Sequence, residues 1–458
     1  MERIENTQEN KMGVMPVNKL LVGMAWPMIV SMLVQGMYNV VDSIFVSRLS
    51  ENALTAVSLA FPVQMILIAL GTGAGVGMNA VLSRALGEKD QRTVDKAAGS
   101  GIFIAAMNFL VFLVVGIFAA RPFFASQAKT PEIVEMGTVY LQICCCFSVG
   151  VYAQLVGEKL LQATGRTVLS MITQGIGAIL NIILDPILIF GYFGAPAMGI
   201  AGAAAATVIG QIVGGVAAIA INIRFNKEIN IRLKNILKPD MAIIRRIYAV
   251  GLPSIIMQSI GSVMNYCMNI ILIGFTETAA AVFGIYFKIQ SMFFMPVLGL
   301  NNGMVPIIAF NYGAGKRSRI IKTAKLGIMY ATIMMLMGLA LFQLFPDELL
   351  LMFDAGENML SIGRVALRVA SLSYVFAGFC IASGSIFQAL GNGVYSMIVS
   401  FCRQIVVLLP AAYLLSLTGN LDAVWWAIPI AEIMSVLVTS LMLVRINRRI
   451  IRNIPDNV

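Results

Sequence analysis

Residues 20–46 read LLVGMAWPMIVSMLVQGMYNVVDSIFV, and they set the class of the whole chain. A bilayer core about 30 Å thick needs about 20 apolar residues in a helix, and this stretch is longer than that. It nevertheless carries a carboxylate, Asp42, with no basic residue until Arg48. An acid inside such a segment costs roughly 3 kcal/mol or more. Ser31, Gln35, Tyr38 and Asp42 are spaced i, i+4, i+7, i+11 and so share one helix face. Two readings stand at this point: a carboxylate solvated in the headgroup zone, or an ion-handling group held within protein.

The remainder of the chain agrees with a membrane setting. Of 458 residues, 59% are hydrophobic and 12% charged, against about 25% charged in soluble domains. The polar, mixed-charge start up to Lys19 and the length of the first apolar run argue against a cleavable signal. There is no histidine, which removes imidazole proton relays, HExxH zinc chemistry and Ser-His-Asp catalysis together. The six cysteines, Cys144, Cys145, Cys146, Cys267, Cys380 and Cys402, lie in apolar segments without a CxxC pair and read as small hydrophobes.

Twelve apolar runs follow one another, at about 20–46, 53–82, 97–119, 134–156, 168–190, 199–222, 247–274, 279–310, 320–345, 361–387, 394–417 and 422–444. With the N-terminus inside, 25 of the 32 Lys and Arg residues fall in cytoplasmic segments, against Arg48, Arg121, Lys129 and Arg364 in the outer loops. The net charge of +10 is therefore a topology signal, and no nucleic-acid partner is expected. The expected fold is an all-α polytopic membrane protein with twelve transmembrane helices and cytoplasmic termini. Residues 1–19 form a cytoplasmic segment, 20–222 an N-lobe, 223–246 an inter-lobe linker, 247–444 a C-lobe and 445–458 a basic tail.

The two halves are a repeat. A shift of 226 places Pro27 on Pro253, Asn39 on Asn265, Gln64 on Gln290, Gly73 on Gly299, Gly87 on Gly313 and Gln162 on Gln388. Beyond that the register slips by about five, so that Gln211 faces Glu432. An even number of spans per half inserts both halves in the same direction. Parallel repeats of this kind build transporters with a site near the midplane.

Chemistry-bearing residues concentrate in the first half. Asn181 and Asp185 are i, i+4 in span 5, and Pro186 leaves the carbonyl of Ile182 without a donor. Asp42 and Asp185 each lie about five residues inside the outer end of their spans, roughly 8 Å below the boundary at about 1.5 Å per residue. Thr207 in span 6 lies somewhat deeper. Two acids, an amide and a hydroxyl at similar depth suit a Na⁺ site or a proton-binding carboxyl pair. The run Gly71-Thr-Gly-Ala-Gly-Val-Gly77 has the composition of a phosphate loop, but it lies inside a span with no following Lys-Ser/Thr; close helix packing is expected. No GxxxxGK[ST] occurs, so a gradient or a partner must supply any driving force.

In the second half, Lys288, Arg403 and Glu432 fall near the midplane, either as a structural or gating ion cluster or as substrate contacts. Gln258, Ser262, Asn265 and Asn269 make the polar stripe of span 7, the counterpart of the span 1 stripe. Of these, Gln258, Asn265 and Asn269, with Gln35, Tyr38 and Asn39, are the candidate cavity residues. The 29 methionines suit packing and also a cavity that accepts varied ligands.

Several stretches in combination resemble the multidrug and toxic compound extrusion (MATE) family. They are QGMYNVVDSIFVSRL at 35–49, LSRALGEKD at 82–90, QATG at 162–165, NIILDP at 181–186, GIAGAAAAT at 199–207 and PIIAFNYGAG at 306–315. The resemblance covers essentially the whole chain. It implies two six-helix lobes and export of organic, often cationic compounds in exchange for Na⁺ or H⁺. It also implies that Asp42, Asn181, Asp185 and Thr207 form the N-lobe cation or proton site, with Gln35 and Tyr38 lining the cavity beside it. NorM-like members carry acids in helices 7 and 10. Here span 7 has none between Gly251 and Phe275, and span 10 has Arg368 but no acid, which places the chain nearer the DinF-like prokaryotic branch. The expectation is a monomeric antiporter of the inner or plasma membrane, not an enzyme, with small organic cations and the lipid bilayer as partners. It needs no cofactor beyond the coupling H⁺ or Na⁺. A flippase of a lipid-linked precursor is the nearest alternative and a membrane-embedded enzyme a more distant one.

Overall fold

The computed structural model describes residues 10–353 and 355–455; residues 1–9 and 456–458 of the expected terminal segments lie outside them. Among the described residues ten helices are long and apolar enough to cross a membrane, and two bent pairs, each taken as one span, bring the number to twelve. In chain order they are α1 (Val17–Ser47), α2 (Glu51–Gly87), α3 (Gln91–Gln127), α4 (Pro131–Cys146 with Val149–Ala163), α5 (Thr167–Phe190) and α6 (Ile200–Phe225). The second set is α7 (Met241–Ile273), α8 (Glu277–Gly313), α9 (Arg317–Leu344), α10 (Glu357–Ser371 with Tyr374–Ala389), α11 (Gly393–Ser416) and α12 (Leu421–Asn453). No strand occurs among the described residues. With its lipid-facing backbone groups satisfied inside each segment, the chain is a multi-pass membrane protein.

The repeat is visible element by element. α2 and α8 are both 37 residues long, and each is capped by the hydroxyl of the preceding residue. Ser50 Oγ accepts from the Ala53 amide at 3.0 Å and Thr276 Oγ1 from Ala279 at 3.1 Å. α4 and α10 break at matching places, by 44° and 50°. The slip before the last helix is also there: α6 starts at Ile200 and α12 at Leu421.

The compact units do not follow the midpoint of the chain. One comprises residues 30–251 and the other residues 1–29 with 252–458. The first half of α7 thus packs with the N-terminal helices, and the first half of α1 with the C-terminal ones. The glycine run explains how. A Cβ on Gly77 would collide with the carbonyl oxygen of Ile247 in α7, and one on Gly303 would lie 2.8 Å from the amide nitrogen of Ala25 in α1. Small residues allow this backbone approach, as the sequence led us to expect.

Each unit also holds an extramembrane segment. In residues 30–251, Asp95 accepts from the Asn230 amide at 3.0 Å, and Lys96 pairs with Asp240 at 2.8 Å. In the other unit, Arg319 donates to the carbonyls of Met12 and Met15 at 2.9 and 2.7 Å, and Asn311 donates to Met12 at 3.0 Å.

Span 4 runs further than its apolar stretch. The sequence ends it near residue 156 and puts 157–167 in a loop; the helix continues to Ala163 and buries Glu158 and Lys159, at 6% and 8% exposure. Both charges find partners inside the unit, which is what makes their burial affordable.

Candidate coupling site

Asp42, Asn181, Asp185 and Thr207 all fall in the unit of residues 30–251, and the fold brings them together. The approach of α5 to α6 is set by Gly177 and Gly210. A Cβ on Gly210 would sit 2.7 Å from the carbonyl oxygen of Gly177 and 3.3 Å from Asn181 Cβ. One turn away, Asn181 Nδ2 donates to Thr207 Oγ1 at 3.2 Å and to Asp185 Oδ1 at 3.4 Å. The Asp42 carboxylate, from α1, is in direct interaction with that of Asp185.

Acceptors are in excess. Asp42 Oδ1, Asp185 Oδ2 and Asn181 Oδ1 are buried and accept from no donor among the described residues. Asp185 is fully buried and Asn181 is 3% exposed. Buried polar atoms are nearly always hydrogen-bonded, so a pocket of three orphaned oxygens is short of a positive charge or a proton. Two carboxylates in contact cannot both stay ionised there without one. Among the described residues no group of three or more His, Cys, Asp and Glu could hold a metal ion. A proton or a loosely held monovalent cation suits two acids, an amide and a hydroxyl.

Around this centre lie Tyr38 and Gln35, which the sequence pattern singled out, and Tyr140, Cys144, Gln154, Glu158 and Gln174, which it did not. The Tyr38 hydroxyl is an electrostatic neighbour of Asp42, Asp185 and Glu158, and Tyr140 is a neighbour of Asp42 and Tyr38. Gln64 donates to Tyr140 Oη at 3.3 Å and to Cys144 Sγ at 3.5 Å. Gln174 of α5 donates to Gln35 of α1 at 3.0 Å. Gln154, Glu158 and Gln162 recur at i, i+4, i+8 on α4, and reading the helical period past residue 156 finds them.

The candidate cavity residues divide between units. Gln35 and Tyr38 are half-buried beside the carboxylates, and Asn39 is exposed. Gln258, Asn265 and Asn269 lie on the part of α7 that belongs to the other unit; Gln258 is exposed and the two asparagines half-buried.

The three C-lobe charges do not form one cluster. Arg403 Nη1 reaches Glu432 Oε2 at 3.3 Å. Lys288 is exposed and takes no part in that pair. The reason is helical phase: Val282, Phe283, Tyr286 and Ile289 form the buried face of α8, and Lys288 lies beside exposed Phe287 on another. Arg403 stands in a π-helical turn, Cys402–Leu408, that has no counterpart in α5.

Comparison with known proteins fits this picture. The MatE family model matches residues 27–187 and again 253–414, two copies set apart by the same interval as the repeat. The multidrug export protein MepA of Staphylococcus haemolyticus is 26% identical over 415 residues, 90% of each chain. MepA of Staphylococcus aureus strain MRSA252 is 25% identical over 440 residues, 95% of each. A solved outward-facing multidrug resistance MATE family transporter of the MOP superfamily superposes with a TM-score of 0.90 at 27% identity, covering 97% of this chain and 99% of its own. Twelve helices in a doubled pattern, matched twice by one family model over more than half the chain, establish that it belongs to the MatE family of membrane transporters.

Proposed function

We propose that the chain is a multidrug exporter that moves small amphiphilic organic cations outward in exchange for H⁺ or Na⁺, with Asp42 and Asp185 as the coupling carboxylates. The observation that carries this reading is the contact between fully buried Asp185 and half-buried Asp42, each with a buried oxygen that has no donor among the described residues. Such a pair takes up one positive charge or proton readily and gives it up when the surroundings change. The relatives' names supply the substrate class: both MepA proteins are multidrug exporters.

The mechanism follows from placement. Asp42 lies on α1, whose residues up to Ile29 belong to one unit and from Val30 to the other, with Pro27 inside the helix just before that change. Pro27 leaves the carbonyl of Gly23 without its helical donor, which makes the helix easier to bend at this point. Loading or unloading of the carboxylate pair changes the charge against which Tyr38, Gln35 and Gln174 pack, and so biases the conformation of α1. Cation loading and drug release are then linked by a difference in affinity between two states.

The test is flux in proteoliposomes. Ethidium efflux is measured under an imposed pH gradient and, separately, an imposed Na⁺ gradient. Asp42→Asn, which is close to isosteric, is expected to lower gradient-driven efflux by about two orders of magnitude with protein yield unchanged. Wild-type efflux from that variant would sink the coupling assignment.

A further inference from the structure

Glu158 is a further buried acid in the unit of residues 30–251, and the coupling reading above makes no use of it. It is 6% exposed, on the half of α4 that follows the break. Gln154 Nε2 donates to its Oε1 at 2.9 Å. Gln154 itself occupies room that two glycines leave: a Cβ on Gly177 would lie 3.4 Å from Gln154 Nε2, and one on Gly214 3.0 Å from Gln154 Oε1. Gly177 is one turn from Asn181 and two from Asp185, so Gln154 stands one tier below Asn181.

Polar groups continue in the other direction. Lys159 Nζ donates to Gln162 Oε1 at 2.9 Å, and Gln162 Nε2 donates to Ser170 Oγ at 3.0 Å. On α5, Ser170, Gln174, Gly177, Asn181 and Asp185 follow one another by four, three, four and four residues, a single stripe. At about 1.5 Å per residue it extends roughly 22 Å along the helix. The α1 stripe Gln35, Tyr38 and Asp42 is tied to it by the Gln174–Gln35 bond. Tyr38 lies within the fields of Glu158, Asp42 and Asp185 together.

We propose that Glu158 is a proton-carrying relay acid, the step through which the coupling proton passes between the Asp42–Asp185 pair and the turn at residues 164–166. The proposal rests on the coupling reading and narrows it to a proton. Its carboxyl group takes a proton from one side and gives it to the other, with water held by the amides and hydroxyls of the stripe as carrier, so that no charge or bond is left over. A metal ion is disfavoured because the Lys159 ammonium is the immediate neighbour. The charged and titratable groups acting on Glu158 among the described residues are Lys159 on its own helix and Tyr38 on α1. Room for the lysine comes from Gly75 of α2, whose Cβ would lie 2.9 Å from Lys159 Cγ.

The repeat supports a functional rather than a scaffolding role. The positions 226 residues after Gln154, Glu158 and Lys159 are Cys380, Gly384 and Ser385, and the copy of Gly75 is Asn301. The copied helix forms without the acid, the base or the space for it.

The full-length protein is placed in liposomes, and ethidium efflux driven by a pH gradient is compared with ethidium–ethidium exchange at equal pH. Glu158→Gln is expected to lose at least about tenfold more in gradient-driven efflux than in exchange, with Glu158→Asp recovering most of the loss. Equal losses in both assays, with no rescue by aspartate, assign Glu158 to the fold and overturn the relay. Wild-type gradient-driven efflux from Glu158→Gln overturns it as well, and if Asp42→Asn is dead in the same assay the coupling reading survives. Efflux driven by a Na⁺ gradient alone overturns the proton while leaving the carboxylate pair in place. Wild-type efflux from Asp42→Asn removes the coupling reading itself.

Discussion

The unit of residues 30–251 and the unit of residues 1–29 with 252–458 are built on one plan and filled differently. Both contain a 37-residue helix capped by a hydroxyl and notched by glycines against a neighbouring backbone. The copies of Asp42 and Asp185 are Met268 and Ala411, and the copy of Glu158 is Gly384. At the tier where Gln154 fits between Gly177 and Gly214, the second unit has Cys380, Arg403 and, after the five-residue slip, Ser435. There Arg403 reaches Glu432 Oε2 at 3.3 Å. Glu432 also keeps one buried oxygen, Oε1, without a donor among the described residues, but it has a fixed base beside it, whereas Asp42 and Asp185 have each other. What the units share makes the fold, and what they do not share is where ion chemistry is to be looked for.

The largest effect is expected where they agree. Leucine at Gly77 or at Gly303 meets the backbone of Ile247 or Ala25, neither of which can step aside. Each change should cost about 3 kcal/mol or more and remove the monodisperse protein peak in size-exclusion chromatography. Loss with one and not the other would break the equivalence of the two notches.

A middle-sized effect separates the two kinds of acid. Glu432→Gln leaves Arg403 without its counter-charge; since Arg403 keeps 26% side-chain exposure, the cost should be about 2 kcal/mol, below that of a fully buried pair. It should show as a lower melting temperature in detergent, with the ratio of gradient-driven efflux to exchange close to wild type. A collapse of that ratio would make the second unit a coupling site too.

The smallest effect is at the docked linker. Lys96, by donating to Asp240, holds that carboxyl below the usual range. A lowered folded value means the pair stabilises above the unfolded value near pH 4 and ceases to as pH falls through the folded one. Asp240→Asn should therefore cost under about 1 kcal/mol at neutral pH, with the melting-temperature difference from wild type vanishing in acid.

Much of the site was legible beforehand. Asp42 at the end of the α1 stripe, the Asn181–Asp185 pair on α5 and Thr207 on α6 stood out as four polar groups at similar depth, because a membrane makes every buried acid conspicuous. Glu158 was not legible in the same way. It sits where the apolar run ends, and there a charge looks like the beginning of a loop. Lys288 failed in the opposite direction: depth along a helix does not say which face a residue takes. Gln154 has an ordinary neighbourhood in sequence, and only its two glycine neighbours, from α5 and α6, make it part of the stripe.

The amino-acid sequence by itself determined the twelve spans, the 226-residue repeat with its slip of five, and the one-sided placement of the acids, since these depend on hydropathy, periodicity and residue identity alone. Tertiary structure decided which neighbour each polar group meets: Asn181 with Thr207, Gln174 with Gln35, Arg403 with Glu432 but not with Lys288. It also decided that the first halves of α1 and α7 pack with the helices of the other repeat. The physical reason is that a helix's period fixes the direction of a side chain around its own axis, whereas the partner across the gap depends on how closely two backbones can approach. Here glycines on separate helices set that distance.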